Sequence, residues 1–99
     1  MDMDLQGTPE LDERRRKLRY RAWHRGTREM DLVLGRFADA ELAAMSVTDL
    51  DAFEALMEAP DPDLFSWVVG QVTVPAHADG VMFRRLVAFH RTGEGMAKP

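Results

Sequence analysis

The side chains that could carry out catalysis are few in this sequence and lie far apart. There is no cysteine, so neither a thiolate nucleophile nor a disulfide framework is available. The only two serines, Ser46 and Ser66, fall where a helix cap and an exposed helix position are expected. The histidines His24, His77 and His90 have no HxxxH or HExxH spacing, so they do not indicate a zinc site. The sequence therefore predicts no catalytic residues and no metal site.

Carboxylates at helical spacing form the one arrangement that could transfer protons. Glu54 and Glu58 are four residues apart, and Asp61 and Asp63 follow them. Residues at this spacing share one face of a helix, and paired carboxylates could act as general acid and base. We favour the simpler interpretation, which is a solvated acidic helix face followed by helix-capping residues.

Basic side chains are concentrated in residues 14–28, where eight occur without an acidic residue, whereas residues 29–79 carry eleven acidic side chains and one arginine. The run RRRKLRYR, with Tyr20 and Trp23 able to stack on bases, permits the alternative of a small nucleic-acid-associated regulator that uses the arginine-rich first helix. A solvated basic face is the simpler interpretation. The acidic remainder of the chain would repel a phosphate backbone, and no helix-turn-helix signature is apparent, so we expect no nucleic-acid partner.

Apolar residues recur at helical spacing in five segments, which predicts an all-α fold, a compact bundle of about five short antiparallel helices. Residues 68–74 are the only candidate strand. The first helix is expected over residues 10–23, with a thin apolar stripe that leaves most of its arginines in water. The predicted core is the set Leu11, Leu18, Ala22, Met30, Val33, Leu34, Phe37, Leu50, Phe53, Leu56, Met57, Leu64, Phe65, Val68, Met82, Phe83, Leu86, Val87 and His90.

The later helices have start and stop signals of their own. The second begins near Arg28 and contains Gly35, which we expect to kink or break it. Ser46 or Thr48 caps the third. For the fourth, we predict Asp61 as N-cap, Pro62 as first helical residue and Gly70 as the stop, and the last helix should cover residues 79–91.

The turn between the first two helices has the sequence RAWHRGTREMD. Gly26 is expected as a left-handed C-terminal cap, because glycine adopts that conformation without strain. Thr27 is expected as N-cap of the next helix, with Glu29 in its first turn. These signals account for the turn structurally and leave open whether it is also a contact surface.

A length of 99 residues indicates one domain. We place this domain at residues 10–92, between flexible tails at residues 1–9 and 93–99. No apolar run approaches the roughly 20 residues needed to span a bilayer, and the acidic beginning is unlike a secretory signal or a transit peptide. We therefore expect a cytoplasmic protein without a membrane partner.

Two stretches resemble the flavinylation factors of succinate dehydrogenase, the SdhE-type assembly factors. These are RRRKLRYRAWHRGTREMDLVLGRF and, about 25 residues later, DPDLFSWVVG. The defining element of that family, R-G-x-x-E, is matched by Arg25, Gly26 and Glu29, and the similarity covers roughly residues 14–90. The resemblance implies a five-helix fold, in agreement with the apolar spacing.

The resemblance also implies a function. Family members bind the flavoprotein subunit of succinate dehydrogenase, and in bacteria also that of fumarate reductase, and promote covalent attachment of FAD to a histidine of that client. They are assembly chaperones and not enzymes. No cofactor of this chain itself is expected, because the FAD belongs to the client. The client-binding residues implied are Arg25, Gly26 and Glu29, and we extend the contact to Arg21 and Arg28.

Overall fold

The computed structural model describes residues 8–92, which form five α-helices. They are α1 (Pro9–Trp23), α2 (Arg28–Glu41), α3 (Val47–Leu56), α4 (Asp61–Val68) and α5 (Val81–Arg91), with 3₁₀ turns at Leu42–Ala44 and Ala76–Ala78. No strand occurs within residues 8–92, so the candidate strand at 68–74 was wrong and the all-α bundle is confirmed. The predicted flexible tails lie outside the described residues, apart from Thr8 and Pro9, which begin α1.

Three helices begin at side-chain caps, of which Thr27 and Ser46 were predicted and Thr8 was not. Thr8 Oγ1 accepts a hydrogen bond from the Leu11 amide at 3.1 Å, and Thr27 Oγ1 accepts one from the Met30 amide at 3.2 Å. Ser46, with Asp49, forms a reciprocal capping box at the start of α3. These caps satisfy amides that have no partner inside their helices, and they fix where α1, α2 and α3 start.

The starts of α4 and α5 differ from the prediction. The N-cap of α4 is Pro60, and Asp61 is the first helical residue, without a capping hydrogen bond. Its carboxylate accepts hydrogen bonds from Arg25 instead, so a long-range ion pair replaces the local cap. The last helix begins at Val81 because residues 76–78 form a 3₁₀ turn and Gly80 takes the extended cap conformation.

Helix α2 is continuous through Gly35, contrary to the predicted kink. This glycine is buried against the ring of Trp23, and a β-carbon placed on residue 35 would collide with the indole. The Trp23 Nε1–H donates to Asp39 Oδ1 at 3.2 Å. Gly35 therefore allows α1 and α2 to pack closely, and the two helices form a hairpin whose turn is residues 24–27.

The core lies where all five helices meet. Its largest fully buried side chains are Phe37, Phe53, Leu18, Met30, Leu34, Leu42, Met45, Leu50, Leu64 and Leu86. Phe37 contacts both Phe53 and Phe89, with ring centroids 5.8 and 5.5 Å apart. Burial of each such side chain contributes about 1.5–3 kcal/mol. Most of this core was predicted from helical spacing, whereas the buried Leu42, Met45 and Phe89 were missed.

One arginine of α1 is part of the interior. Arg15 is only 8% exposed, and its guanidinium donates to the carbonyl oxygens of Leu42 at 3.1 Å and Met45 at 2.8 Å. These carbonyls follow the end of α2, where helical partners run out. Arg15 is an exception to the prediction that most arginines of the first helix remain in water, because its guanidinium binds the carbonyl oxygens that follow α2.

Candidate functional site

The turn between α1 and α2 places glycine in a backbone conformation that other residues rarely adopt. Helix α1 ends at Trp23 with His24 as its C-cap, so Gly26 lies two residues beyond the cap instead of forming it. Its φ is +110°, as expected for a glycine-dependent turn. Thr27 then caps α2, which sets the direction in which the second helix leaves the turn.

Arg25 fixes this turn to the rest of the molecule. Its Nε and Nη2 donate to Asp61 Oδ1 at 2.9 and 2.7 Å, and Nη2 also donates to the Ala59 carbonyl at 3.3 Å. The Arg25 amide donates to Asp31 Oδ1 at 2.6 Å. The side chains of Arg25 and Asp61 are only 12% and 17% exposed. The donors that sequence analysis assigned to a client therefore bind the start of α4 within this chain.

The next residues face solvent. Gly26, Thr27, Arg28 and Glu29 are all exposed, and nothing lies within 4 Å of a β-carbon placed on Gly26. The side chains of Arg28 and Glu29 form no hydrogen bond or ion pair within residues 8–92. The turn thus presents bare backbone next to one free guanidinium and one free carboxylate. We call residues 26, 28 and 29 the outer face of the turn.

Two ring side chains lie where α1 runs into the turn. Tyr20 is 64% exposed, and its ring stacks on that of His24 with centroids 3.9 Å apart and planes 19° apart. The His24 Nδ1–H donates to the Tyr20 carbonyl at 2.7 Å. Together with Arg21 and Arg25 they line a shallow notch. Sequence analysis did not assign this pair, although their four-residue spacing on α1 signals a side-chain contact.

Arg21 is directed to α3 and not to the turn. It pairs with Glu54 at 3.3 Å and Glu58 at 3.2 Å, while Arg14 pairs with Asp51 at 2.7 Å and Glu54 at 2.8 Å. Hydrogen bonding from Arg14 holds the pKa of Glu54 below its ordinary value. The expected acidic face is thus exposed to solvent, with the Glu58 side chain 71% and the Glu54 side chain 41% exposed, but both carboxylates are paired with arginines of α1.

These pairings weaken the nucleic-acid alternative. Six of the eight basic side chains in residues 14–28 are engaged within the chain: Arg14, Arg15, Arg21 and Arg25 bind other segments, and Arg16 and Lys17 pair with Glu13 on their own helix. Trp23, one of the two candidate stacking rings, packs on Gly35 and hydrogen-bonds to Asp39. A phosphate-binding surface would need these cations free.

Another ionisable side chain that packs partly inside the bundle is His90. Its Nε2–H donates to the Val33 carbonyl at 2.8 Å, and its buried Nδ1 has no hydrogen-bond partner within the described part of the chain. Burial lowers the pKa of His90 from its ordinary value of 6.5, against the opposing effect of the Val33 bond. His90, which helical spacing placed in the core, is thus only partly buried at its edge. Between residues 8 and 92, no group of three or more His, Asp or Glu side chains is placed to hold a metal ion.

No helix in the described range combines the length and the apolar character that crossing a bilayer requires.

The five predicted contact residues fall into two groups. The structure brings Gly26, Arg28 and Glu29 together at the outer face, whereas Arg21 and Arg25 bind acidic residues of α3 and α4.

Comparison with known proteins gives a family match over most of the chain. Residues 16–90 match the family described as flavinator of succinate dehydrogenase. The FAD assembly factor SdhE of Acetobacter pasteurianus is 39% identical over 85 residues, which cover 86% of this chain and 78% of that protein. The mitochondrial succinate dehydrogenase assembly factor 2 of Dictyostelium discoideum is 36% identical over 66 residues, 67% of this chain and 47% of that protein. The chain thus spans about half the length of this mitochondrial relative. The SdhE of Coxiella burnetii is 33% identical over 58 residues, 59% of this chain and 70% of that protein.

Proposed function

The chain belongs to the family of succinate dehydrogenase flavinators, and from this premise we propose that it is an assembly factor for that enzyme. It binds the flavoprotein subunit of succinate dehydrogenase and promotes covalent attachment of FAD to a histidine of the subunit. It leaves the subunit once the bond has formed. The flavoprotein subunit of fumarate reductase is a second client of the same chemistry, and the cytoplasmic location expected from the sequence is part of the proposal.

The observation that carries the proposal is the outer face of the turn. Its glycine has no side chain and open space around it, so a client can approach the backbone closely. The carboxylate of Glu29 and the guanidinium of Arg28 are exposed and unpaired within residues 8–92, so they are free to bind complementary groups. This surface lies in the R-G-x-x-E element by which the resemblance was first identified.

Arg25 acts in this proposal as a positioning residue. Its guanidinium holds the turn against α4 through Asp61 and Ala59, and its amide holds the start of α2 through Asp31. Charge-assisted hydrogen bonds of this kind are stronger than neutral ones and restrict geometry. The outer face is therefore presented to the client in one conformation.

Binding alone is sufficient for this activity. When bound to its client, FAD supplies the chemistry, since the isoalloxazine ring activates its own 8α-methyl group. The factor needs to favour the client conformation that holds the histidine beside that methyl group, which requires tighter binding to that conformation than to others. Fixing two groups in such an arrangement can lower a barrier by several kcal/mol, and by about 7–11 kcal/mol in ideal cases. No catalytic side chain of this chain is needed.

Co-expression tests the proposal. The flavoprotein subunit is produced with and without this chain in cells lacking their own assembly factor, and covalent flavin is measured as fluorescence of the denatured subunit on a gel. We expect strong fluorescence only when the chain is present, and co-elution of the two purified proteins. Equal flavin content without the chain, or absence of binding, would refute the proposal.

A further inference from the structure

An apolar groove lies beside the turn, between α2, α4 and α5. Its volume is about 370 Å³. Its walls include Leu32 on α2, Phe65 and Val68 on α4, and Val87 on α5. Val69, directly after α4, is 48% exposed at its edge. Water-exposed apolar surface of this kind is stabilised when a partner covers it.

Three ionisable side chains line the groove, namely Glu29, His90 and Arg91. Glu29 and Arg91 are both exposed, and they form no ion pair with each other. His90 also lines it, with its Nε2–H already bound to the Val33 carbonyl. An occupant therefore meets apolar walls, the carboxylate of Glu29, which can accept hydrogen bonds from a cation, and the guanidinium of Arg91.

Glu29 links this groove to the outer face of the turn. The same side chain belongs to both surfaces, so a protein bound across Gly26 and Glu29 can extend its contact into the groove. The second large cleft, about 610 Å³ around Trp67 and Val81, contains no residue of the turn. The α2–α4–α5 groove is therefore continuous with the proposed docking surface, and the cleft around Trp67 and Val81 is not.

We propose that the α2–α4–α5 groove is the anchoring half of the client-binding surface. It receives an apolar segment of the flavoprotein subunit, with a cationic group of that segment bound to Glu29. This inference rests on the proposed function and adds a second contact to it. An apolar segment buried in a pocket next to a polar contact is an arrangement found at the energetic centres of protein interfaces.

A thiol-protection experiment tests the groove directly, because the chain has no cysteine of its own. One cysteine is introduced by Val69→Cys at the groove, and in a matched variant by Val81→Cys at the second cleft, where the valine is 71% exposed. Each purified variant is treated with N-ethylmaleimide, with and without saturating flavoprotein subunit, and alkylation of this chain is followed by mass spectrometry. We expect the client to slow alkylation at position 69 about tenfold or more, and at position 81 less than about twofold, because water is excluded from the centre of an interface.

The possible outcomes separate the two proposals. Failure of the unmodified chain to bind the client refutes the proposed function itself. If the Val69→Cys variant binds and its thiol stays as reactive as before, the groove inference is wrong and the proposed function stands. If the thiol at position 69 becomes protected without client as the concentration of this chain rises, the inference is also wrong, since a second copy of the chain would then occupy the groove. If Val69→Cys loses client binding and Val81→Cys keeps it, the groove inference is supported.

A second pair of variants measures the contribution of the groove to affinity. Val69→Asp places a charge at its edge, and Val81→Asp places the same charge at the other cleft, with both positions exposed enough to accept it in the folded protein. We expect Val69→Asp to weaken client binding about tenfold or more and Val81→Asp to leave it within about twofold. Equal affinities of the two variants would contradict the inference.

Discussion

The inner and outer halves of one turn differ sharply in environment. Arg25 is 12% exposed and bound to Asp61, Ala59 and Asp31, whereas Gly26, Arg28 and Glu29 are exposed, the latter two without side-chain partners in residues 8–92. Neighbouring residues of the R-G-x-x-E element thus have separable tasks. The inner half determines the shape of the turn, and the outer half is available to another protein. Substitutions in the two halves should therefore affect different measurements.

The largest expected effect is at the outer half, with Gly26→Arg. The new side chain projects into open space, so folding is not blocked, but it occupies the surface that the client would approach. A non-glycine residue at this φ also costs about 1–3 kcal/mol. We expect covalent flavin on the co-expressed client to disappear while circular dichroism stays helical.

The variants Gly26→Ala and Gly70→Ala serve as controls for the effect of backbone strain. Both glycines have positive φ, +110° and +83°, with no atom within 4 Å of an added β-carbon. We expect the two alanine variants to lose similar stability in urea denaturation, and Gly70→Ala to retain client flavinylation. Normal flavin content with Gly26→Arg would eliminate the distinction between the halves.

At the inner half, Arg25→Gln should act mainly on stability. It leaves the Asp61 carboxylate, only 17% exposed, without its guanidinium. We expect a loss of about 2–3 kcal/mol in the free energy of unfolding, somewhat below the cost for a fully buried pair. The matched variant Arg84→Gln removes an exposed pair with Asp79 and should cost less than about 1 kcal/mol. Equal losses in urea denaturation would show that the inner pair does not hold the turn.

Glu29→Gln should reverse that pattern. The first turn of α2 loses a favourable interaction with the helix dipole, worth about 0.5 kcal/mol, so stability changes little. Affinity for the client, measured by calorimetry, should fall about tenfold, because the groups that meet this carboxylate lose a charged acceptor. Glu10→Gln provides the control, since Glu10 is an exposed acid in the first turn of α1. An unchanged affinity would restrict the contact to Gly26 and Arg28.

The smallest effect should appear at neither half of the turn but at His90. Burial keeps its folded-state pKa below the unfolded value of 6.5, and the charge of Arg36 lowers it further. The unfolded chain therefore binds the proton first, and this contribution to stability, complete above pH 6.5, is lost as pH falls through the folded pKa. His90→Gln should reduce the slope of the unfolding free energy against pH in that range, measured by urea denaturation at a series of pH values. Identical slopes in the variant and in the unmodified protein would contradict the assignment.

Local signals in the sequence predicted the fold well. Thr27, Ser46 with Asp49, and the row Met30, Val33, Leu34 and Phe37 behave as capping and helical spacing predict. Phe89 was missed because it lies outside the stripe assigned to the last helix, although it contacts Phe37.

The candidate site was predicted less completely, because its inner half depends on pairing between distant residues. Asp61 has the position and residue type of an N-cap, and only its approach to Arg25, 36 residues earlier, makes it an ion-pair partner. The same holds for Glu54 and Glu58, whose carboxylates accept hydrogen bonds from Arg14 and Arg21 of α1. Spacing along one helix carries no information about which helix packs against it.

The contact between Gly35 and Trp23 has a consequence for the entropy of association. The indole of Trp23, the last residue of α1, lies against the backbone of α2 at Gly35 and donates a hydrogen bond to Asp39, so the two helices that flank the turn are held together. A partner arriving at the turn then has few torsions left to freeze beyond those of the Arg28 and Glu29 side chains, each about 0.5–1.5 kcal/mol. We expect a modest entropic penalty on complex formation, and a larger one once the indole is removed by Trp23→Leu.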